Sequence, residues 1–189
     1  MVLLVVLCCA GCRLPPDGIQ PATPCRAQAV VFDIDGTLTP DVQSIFKVRP
    51  DAAEAVNLYA DKGYAIIYLS ARIKLLQRSI PNWLEKNGFP EGNLQVPETS
   101  GDGKDHAQFK EKVLREFIAQ GWTIAFAYGD SSTDFEAYAA VGIPKEYIFA
   151  LQREGDQSCQ TGEWSTCLGG WSEHIEFIEM SVAPVIENP

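Results

Sequence analysis

The chain has little of what nucleic-acid-binding or zinc proteins need. Its 189 residues carry 15 Lys and Arg against 25 Asp and Glu, a formal net charge of −10. Because a nucleic-acid surface needs clustered basic side chains to neutralise phosphates, this charge argues against that class. Cys159 and Cys167 do not form a Cys-x-x-Cys pair, and the two histidines, His106 and His174, lie far apart, so these residues show no zinc-ligand pattern.

Long hydrophobic runs are also missing, since the apolar segment Met1–Ala10 is far too short to span a bilayer. With Gly11 and Cys12 it resembles a bacterial lipoprotein signal peptide, in which Cys12 would be lipidated. This predicts an exported, membrane-anchored lipoprotein on the periplasmic or cell-surface side. No Lys or Arg precedes the apolar run, and Cys9 stands where Leu is usual. An ordinary secretory signal peptide, an apolar stub of a longer chain and a cytosolic chain therefore stay open.

The remaining chain suits one domain with a full core, since 46% of all residues are hydrophobic and 21% charged. We expect four segments along it: a signal peptide with its lipidation site (1–12), a Pro-rich linker (13–27), a catalytic domain (28–151) and a C-terminal extension (152–189). Trp164 and Trp171 are expected to pack the extension on the domain.

Strand-like and helix-like patterns alternate, which predicts an α/β fold with a mainly parallel sheet and helices on both faces. Only about a dozen residues separate Thr39 from Pro50, too few for an inserted cap domain. The expected strands span 29–32, 64–69, 123–128 and 147–151; the expected helices span 51–62, 75–87 (kinked or split at Pro81), 105–120, 133–140 and 173–180; residues 91–104 are expected to form a loop.

The run Val30–Thr39, VVFDIDGTLT, holds the strongest chemical signal. Asp33 and Asp35 end an apolar strand, and ligands of open α/β sheets bind at the carboxyl ends of strands. Two acids at i and i+2 point the same way and repel each other unless a cation or a proton lies between them. A solvated Asp-rich turn is the alternative, which the buried strand before it disfavours.

This run resembles the DxDGTxT nucleophile loop of the haloacid dehalogenase (HAD) superfamily, mostly Mg-dependent phosphatases. Tyr64–Arg72 (YAIIYLSAR) resembles the second loop, and Ala127–Phe135 (AYGDSSTDF) resembles the fourth, metal-binding loop. YLSAR and the segment Phe126–Phe149 are similar to the lipin-type LNS2 domain. That family contains phosphatidate phosphatases and domains that only bind phosphatidate. The resemblance covers about 28–151 and implies a capless, HAD-like Rossmannoid three-layer sandwich.

The resemblance also implies roles for individual residues. Asp33 would be the nucleophile and form an aspartyl-phosphate, and Asp35 would act as general acid and then general base. Ser70 would bind the phosphoryl oxygens. Thr37 would pack and hydrogen-bond near Asp35 and would be one of the substrate-binding residues. Arg72 would hold a second substrate oxygen bidentately or form a structural ion pair.

Mg²⁺ is the implied cofactor, because the charge of Asp33 would otherwise repel a phosphate dianion, and Mg²⁺ prefers hard oxygen ligands. The implied ligands are the carboxylates of Asp33 and Asp130 and the backbone carbonyl of Asp35. Asp134 would orient a metal-bound water or the active-site lysine.

The active-site lysine is either Lys104 or Lys110. A Phe-Lys pair precedes the fourth loop in the lipin-like pattern, and Phe109-Lys110 matches it here. Lys110 is therefore favoured for both catalysis and substrate binding. A solvated lysine on a helix surface is the alternative for either position.

The cysteines fit an exported protein. A disulfide between Cys159 and Cys167 would close a short loop and stabilise the fold by roughly 2–3 kcal/mol in an oxidising compartment. Cys25 paired with one of these two is the alternative.

The substrate is expected to be a phosphomonoester. Phosphatidate or a similar phospholipid comes first, because a capless site accepts a headgroup at a bilayer. A soluble or protein-bound phosphomonoester is the second candidate, and a phosphatidate-binding module with little turnover is the third. Lipin-like domains often carry Gly-Asn where this chain has Gly129-Asp130, and binding-only relatives tend to lose the nucleophile. Asp33, Asp35 and Asp130 therefore favour catalysis.

Overall fold

The computed structural model describes residues 27–99 and 101–186. The predicted signal peptide, nearly all of the Pro-rich linker, and with them Cys12 and Cys25, lie outside the described residues. Within these ranges, no helix has the length and apolar character needed to cross a bilayer.

Six parallel strands form one open sheet, in the order β3-β2-β1-β4-β5-β6. The order reverses between β1 and β4, which places a crevice at their carboxyl ends. The strands are β1 (Gln28–Asp33), β2 (Ala65–Leu69), β3 (Asn93–Gln95), β4 (Thr123–Gly129), β5 (Ile148–Leu151) and β6 (Thr166–Leu168). The helices are α1 (Ala52–Asp61), α2 (Lys74–Gln77), α3 (Ile80–Lys86), α4 (His106–Ala119), α5 (Ser132–Ala140) and α6 (Ile175–Ser181).

Helices cover both faces of the sheet, and the alternation of side chains along β1 divides the core in two. Val30 and Phe32 belong to the cluster that contains the buried side chains of α1, α3 and α6. Ala29 and Val31 belong to the cluster that contains those of α4 and α5. The predicted three-layer α/β sandwich with a parallel sheet is therefore confirmed.

The expected split of one helix is confirmed, and two further elements differ from the expectation. The amphipathic stretch after β2 is divided into α2 and α3, with Pro81 in the first turn of α3, where its missing N–H costs no helical hydrogen bond. The predicted loop 91–104 contains β3, and the extension contains β6. Both strands have only three residues, too few to show a periodic pattern.

The connection between β1 and α1 determines how open the sheet edge is. Residues 34–51 form turns and contain no helix or strand. Among the described residues, this connection therefore holds no folded cap.

Residues 152–186 pack against the rest of the chain. β6 pairs with β5, and Trp171 is fully buried and donates from Nε1 to the carbonyl of Thr37 at 3.1 Å. His174 is buried beside Tyr128, whose hydroxyl lies 2.9 Å from Nε2. Burial lowers the pKa of His174 to about 4, so this histidine is neutral at physiological pH. Cys159 and Cys167 are joined in a disulfide beside β5, to which β6 is paired.

Candidate active site

A cluster of three buried carboxylates lies where β1 and β4 end. Asp33 is the last residue of β1, Asp130 follows β4 directly, and Asp134 lies in the first turn of α5. One oxygen of each lies within 4.8 Å of the others. Because β1 and β4 are neighbours at the point where the strand order reverses, two distant parts of the sequence meet in one crevice.

Lys110 is the cation at the centre of this cluster. It projects from the first turns of α4, is only 3% exposed, and places Nζ 2.5 Å from Asp33 Oδ1 while also pairing with Asp134. Burial works against its charge, but the two carboxylates outweigh burial and raise the pKa of Lys110. Lys104 lies exposed in the loop before α4. Of the two candidate lysines, only Lys110 contacts the carboxylate cluster.

Asp134 is held by more partners than its neighbours are. Its Oδ2 accepts from the backbone N–H groups of Asp130 and Ser131 at 3.1 and 3.0 Å, and from Ser131 Oγ at 2.8 Å. Burial would raise the pKa of Asp134, but Lys110 and the Ser131 hydrogen bonds lower it below its usual range. Asp134 is thus a fixed anion that caps α5 and orients Lys110.

Asp33 and Asp130 carry the unbalanced charge. Asp33 Oδ2 is buried and has no hydrogen-bond partner among the described residues. Burial raises the pKa of Asp33 well above its usual range, although Lys110 opposes the change. Asp130 pairs with Arg153, yet burial and then Asp134 raise its pKa to about 6. Both carboxyls would be better stabilised with a further cation beside them.

These observations fit a divalent cation. The site brings together four carboxylates (Asp33, Asp35, Asp130 and Asp134) and three cations (Arg72, Lys110 and Arg153). Among these ion-paired groups one negative charge is left over, and Asp33 Oδ2 is a buried oxygen without a partner among the described residues. A set of hard carboxylate oxygens with excess negative charge suits Mg²⁺ better than softer metals.

Asp35 lies at the edge of the cluster, with its carboxylate fixed by two residues that follow β2. Ser70 Oγ donates to Asp35 Oδ2 at 2.8 Å, and Arg72 Nε donates to Oδ1 at 2.6 Å. The contact between Arg72 and Asp35 is an ion pair, which was one of the two expected roles of Arg72. Arg72 Nη2 also donates to the carbonyl of Ile45. Its Nη1 is buried without a partner among the described residues, and its second expected role, holding a substrate oxygen, stays a prediction.

Thr37 differs from the expectation. Its hydroxyl is buried and has no hydrogen-bond partner among the described residues, so it makes no bond near Asp35. Thr39 fixes the loop instead, because its hydroxyl accepts from Gly36 N at 2.8 Å across the turn. Gly36 itself has φ of 95°, and a Cβ there would collide with the carboxylate of Asp130. The glycine of the motif therefore permits the close approach of the two loops.

Two arginines of this region were not singled out from the sequence. Arg153 follows β5, and the rule that carboxyl ends of parallel strands line the site could have found it. Arg49 is buried and donates to carbonyls of the Gly36–Pro40 turn and of Gln152. It stands in a segment without periodicity, and no sequence signal marks it.

Replacing Lys110 by Met is expected to lower the free energy of unfolding by about 3–5 kcal/mol near pH 8, because it leaves Asp33 and Asp134 buried without their cation. Part of this loss should be recovered toward pH 5. A buried carboxyl whose pKa is raised in the folded state binds its proton there before it does in the unfolded chain, which favours folding as the pH falls. Urea unfolding at both pH values measures this.

Lys104→Met is the matched control, since the Lys104 side chain is exposed. It should change the free energy of unfolding by less than about 0.5 kcal/mol. Equal effects of the two substitutions would contradict the assignment of Lys110 to the cluster.

Solved structures share this fold. A phosphoserine phosphatase from T. onnurineus matches with a TM-score of 0.53 at 14% identity, covering 86% of this chain and 99% of that one. The cobalt-bound deoxy-D-mannose-octulosonate 8-phosphate phosphatase from Haemophilus influenzae matches with a TM-score of 0.50 at 21% identity, covering 82% and 88%. At these identities the likeness shows the fold alone.

Sequence comparison gives the family. The chain is 31% identical over 160 residues to the membrane-associated phosphatidylinositol transfer protein 3 of Homo sapiens, covering 82% of this chain and 16% of that protein. It therefore spans about a sixth of the length of this relative. The family model described as "PITM 1-3, LNS2 domain" matches residues 30–152, which include every acid of the cluster. The predicted resemblance to a HAD-like LNS2 domain is thus confirmed, and the chain belongs to the LNS2 domain family in its PITM 1-3 form.

Proposed function

We propose that the protein is a Mg²⁺-dependent phosphomonoester hydrolase that acts through an aspartyl-phosphate on Asp33. The observation that carries the proposal is the environment of the Asp33 side chain. It is a buried carboxylate with one oxygen unpartnered among the described residues, and it lies beside Lys110 and two further acids at the sheet edge. A nucleophile of this kind needs an oxygen that no hydrogen bond already engages, and positive charge nearby.

In the proposed reaction, the Asp33 carboxylate attacks phosphorus, and the bond between phosphorus and the leaving oxygen breaks. Asp35 donates a proton to that oxygen and then takes one from the water that hydrolyses the acyl-phosphate, which releases inorganic phosphate and regenerates Asp33. Ser70 and Arg72 fix the Asp35 carboxylate in one orientation for both steps. Lys110 offsets the charge that builds up on the transferred group.

The carboxylates of Asp33 and Asp130, with the carbonyl of Asp35, would hold the Mg²⁺. When bound, the ion neutralises the phosphate and so reduces its repulsion from the acids. Asp134 is the weakest candidate for a direct ligand, because Lys110, Ser131 and the N–H of Asp130 already occupy it. We assign it to orienting Lys110.

Phosphatidate or a similar phospholipid is the first substrate candidate. The connection between β1 and α1 holds no cap, so a headgroup at a bilayer can reach the site. The relatives named as membrane-associated phosphatidylinositol transfer proteins also support a lipid ligand. A lipidated Cys12 on an exported chain would hold the site near a membrane, and this anchor stays a prediction. A soluble or protein-bound phosphomonoester is the second candidate.

The relatives favour one alternative from another class, a phosphatidate-binding module with little turnover. Their names describe lipid transfer and not hydrolysis. The presence of Asp33, Asp35 and Asp130 together supports the enzyme over this module.

Phosphate release measured with and without Mg²⁺ tests the proposal. The full chain is assayed on p-nitrophenyl phosphate, on phosphatidate in mixed micelles and on a soluble sugar phosphate. We expect turnover with Mg²⁺ that EDTA abolishes, and a higher kcat/KM on phosphatidate than on the sugar phosphate. Equal or better rates on the sugar phosphate would contradict the lipid substrate. No turnover on any substrate, together with retained binding of phosphatidate, would assign the chain to the binding module.

A further inference from the structure

Large exposed apolar side chains are concentrated at the mouth of the active site. Val42 and Phe46 lie in the turns after β1, and Ile73 and Leu75 lie after β2. Their exposed fractions are 44%, 64%, 67% and 83%. We call these four residues the apolar rim. Since exposed leucine, isoleucine and phenylalanine side chains cost free energy in water, a group of them in one place indicates a surface that is covered in function.

The apolar rim borders the pocket that contains the carboxylates. This cavity of about 410 Å³ is lined by Asp33 and Asp35 and also by Val42 and Ile73 of the rim. Arg72 connects the two rim segments, because its guanidinium donates to the carbonyl of Ile45 in the first segment. The rim and the acids therefore open toward the same side of the molecule.

The charge of the second rim segment is opposite to that of the whole chain. Residues 71–81 contain Arg72, Lys74 and Arg78 and no acid, although the chain has a net charge of −10. Lys47 lies exposed beside Phe46 in the first segment. Cations interleaved with exposed apolar side chains complement an anionic lipid surface, which attracts the cations at its headgroups and takes up the apolar side chains below them.

We propose that the apolar rim is a bilayer-docking surface that inserts Phe46 and Leu75 shallowly into an anionic leaflet. Lys47, Lys74 and Arg78 lie at the headgroups in this arrangement, and the pocket mouth faces the lipid phosphates. The docking surface rests on the rim and its charge, and only its benefit to catalysis rests on the proposed phosphatase function. A lipid surface is favoured over a protein partner because the exposed apolar residues of the second rim segment are interleaved with cations and with no acid.

The test measures binding of the full chain to vesicles by co-sedimentation. One set of vesicles contains phosphatidylcholine and phosphatidylserine in equal parts, and the other contains phosphatidylcholine alone. We expect the double variant Phe46→Ser/Leu75→Ser to bind the mixed vesicles about tenfold more weakly than the wild type, or weaker still. The wild type should bind phosphatidylcholine vesicles less tightly than mixed ones.

The matched control is the double variant Ile118→Ser/Met180→Ser, whose residues are 39% and 80% exposed and do not line the pocket. Because every variant retains the same N-terminal segment, any binding through Met1–Ala10 is common to all of them. The control should bind like the wild type, and both double variants should keep wild-type turnover of p-nitrophenyl phosphate, since Phe46 and Leu75 do not line the pocket.

Equal vesicle binding by the two double variants would overturn the docking surface. Dimerisation of the wild type that the Phe46→Ser/Leu75→Ser variant lacks, without vesicle binding by either, would instead assign the rim to a second copy of the chain. Failure of the phosphatase proposal would give a different set of results from failure of the docking surface. In that case turnover is missing throughout, whereas the difference in vesicle binding between the two double variants persists.

Discussion

Asp33→Asn is expected to lower the turnover of every phosphomonoester substrate by at least about a thousandfold, with the protein still folded. An amide oxygen is a poor nucleophile toward phosphorus, so the aspartyl-phosphate cannot form. The free energy of unfolding should stay within about 1 kcal/mol of the wild type. The substitution removes the free-energy cost of burying the Asp33 charge, the same burial that raises its pKa. This gain offsets the loss of the ion pair with Lys110.

Steady-state phosphate release and urea unfolding on the same preparations measure the two effects. Asp61→Asn is the matched control, because Asp61 is an exposed aspartate at the end of α1. It should match the wild type in both measurements. Turnover by Asp33→Asn at a rate near that of the wild type would show that Asp33 is not the nucleophile, whatever the change in the free energy of unfolding.

Arg49→Met is expected to destabilise the fold by about 3–5 kcal/mol, as much as Lys110→Met. Arg49 is 6% exposed, and its guanidinium donates to the carbonyls of Gly36, Pro40 and Gln152 at 2.8, 3.0 and 2.9 Å. A buried carbonyl left without a donor costs about 1–3 kcal/mol, and this applies most directly to Gly36, since Pro40 keeps the N–H of Glu154 as a donor. Through these bonds Arg49 joins the nucleophile loop to the chain just after β5.

This role makes Arg49 a positioning residue, so its substitution should lower turnover even under conditions where the variant is folded. Assayed at low temperature, where the variant is folded, Arg49→Met should lower kcat by about tenfold or more with a smaller change in KM, because the loop that carries Asp35 loses its anchor. Arg49→Lys keeps the charge but not the planar set of donors, so it should rescue only part of the stability and of kcat.

Arg115→Met is the control for Arg49→Met, since the Arg115 side chain is 57% exposed on α4 and its ion pair with Glu111 is worth little. Its free energy of unfolding should change by less than about 0.5 kcal/mol, and kcat should not change. An unchanged kcat in folded Arg49→Met would limit Arg49 to a purely structural role.

Much of the fold could be predicted because its central strands are long and apolar. β1, β2 and β4 are buried on both faces and appear in the sequence as continuous hydrophobic runs, which is typical of parallel sheets. The edge strands β3 and β6 could not be predicted. Each has three residues, and each is a strand only because its neighbour offers free backbone groups to pair with.

The candidate site likewise contains residues that the sequence predicted and residues that only the structure could place. Asp33, Asp35, Ser70 and Asp130 were expected because each stands in a motif at the end of a strand. Lys110 was favoured over Lys104 in the sequence, and of the two only Lys110 contacts the acids of the cluster. Thr37 was expected to hydrogen-bond near Asp35, but the backbone of the turn places Thr39 there instead.

The sequence by itself determined the family, the parallel α/β architecture and the acids of the crevice, because these depend on local runs and spacings. Only the tertiary structure decided which charges face one another, as in Arg153 with Asp130 and Lys110 between Asp33 and Asp134. It also decided that Phe46 and Leu75 stand exposed near one pocket. The physical reason is that ion pairing and exposure depend on distances through space, which the strand order sets and the separation along the chain does not.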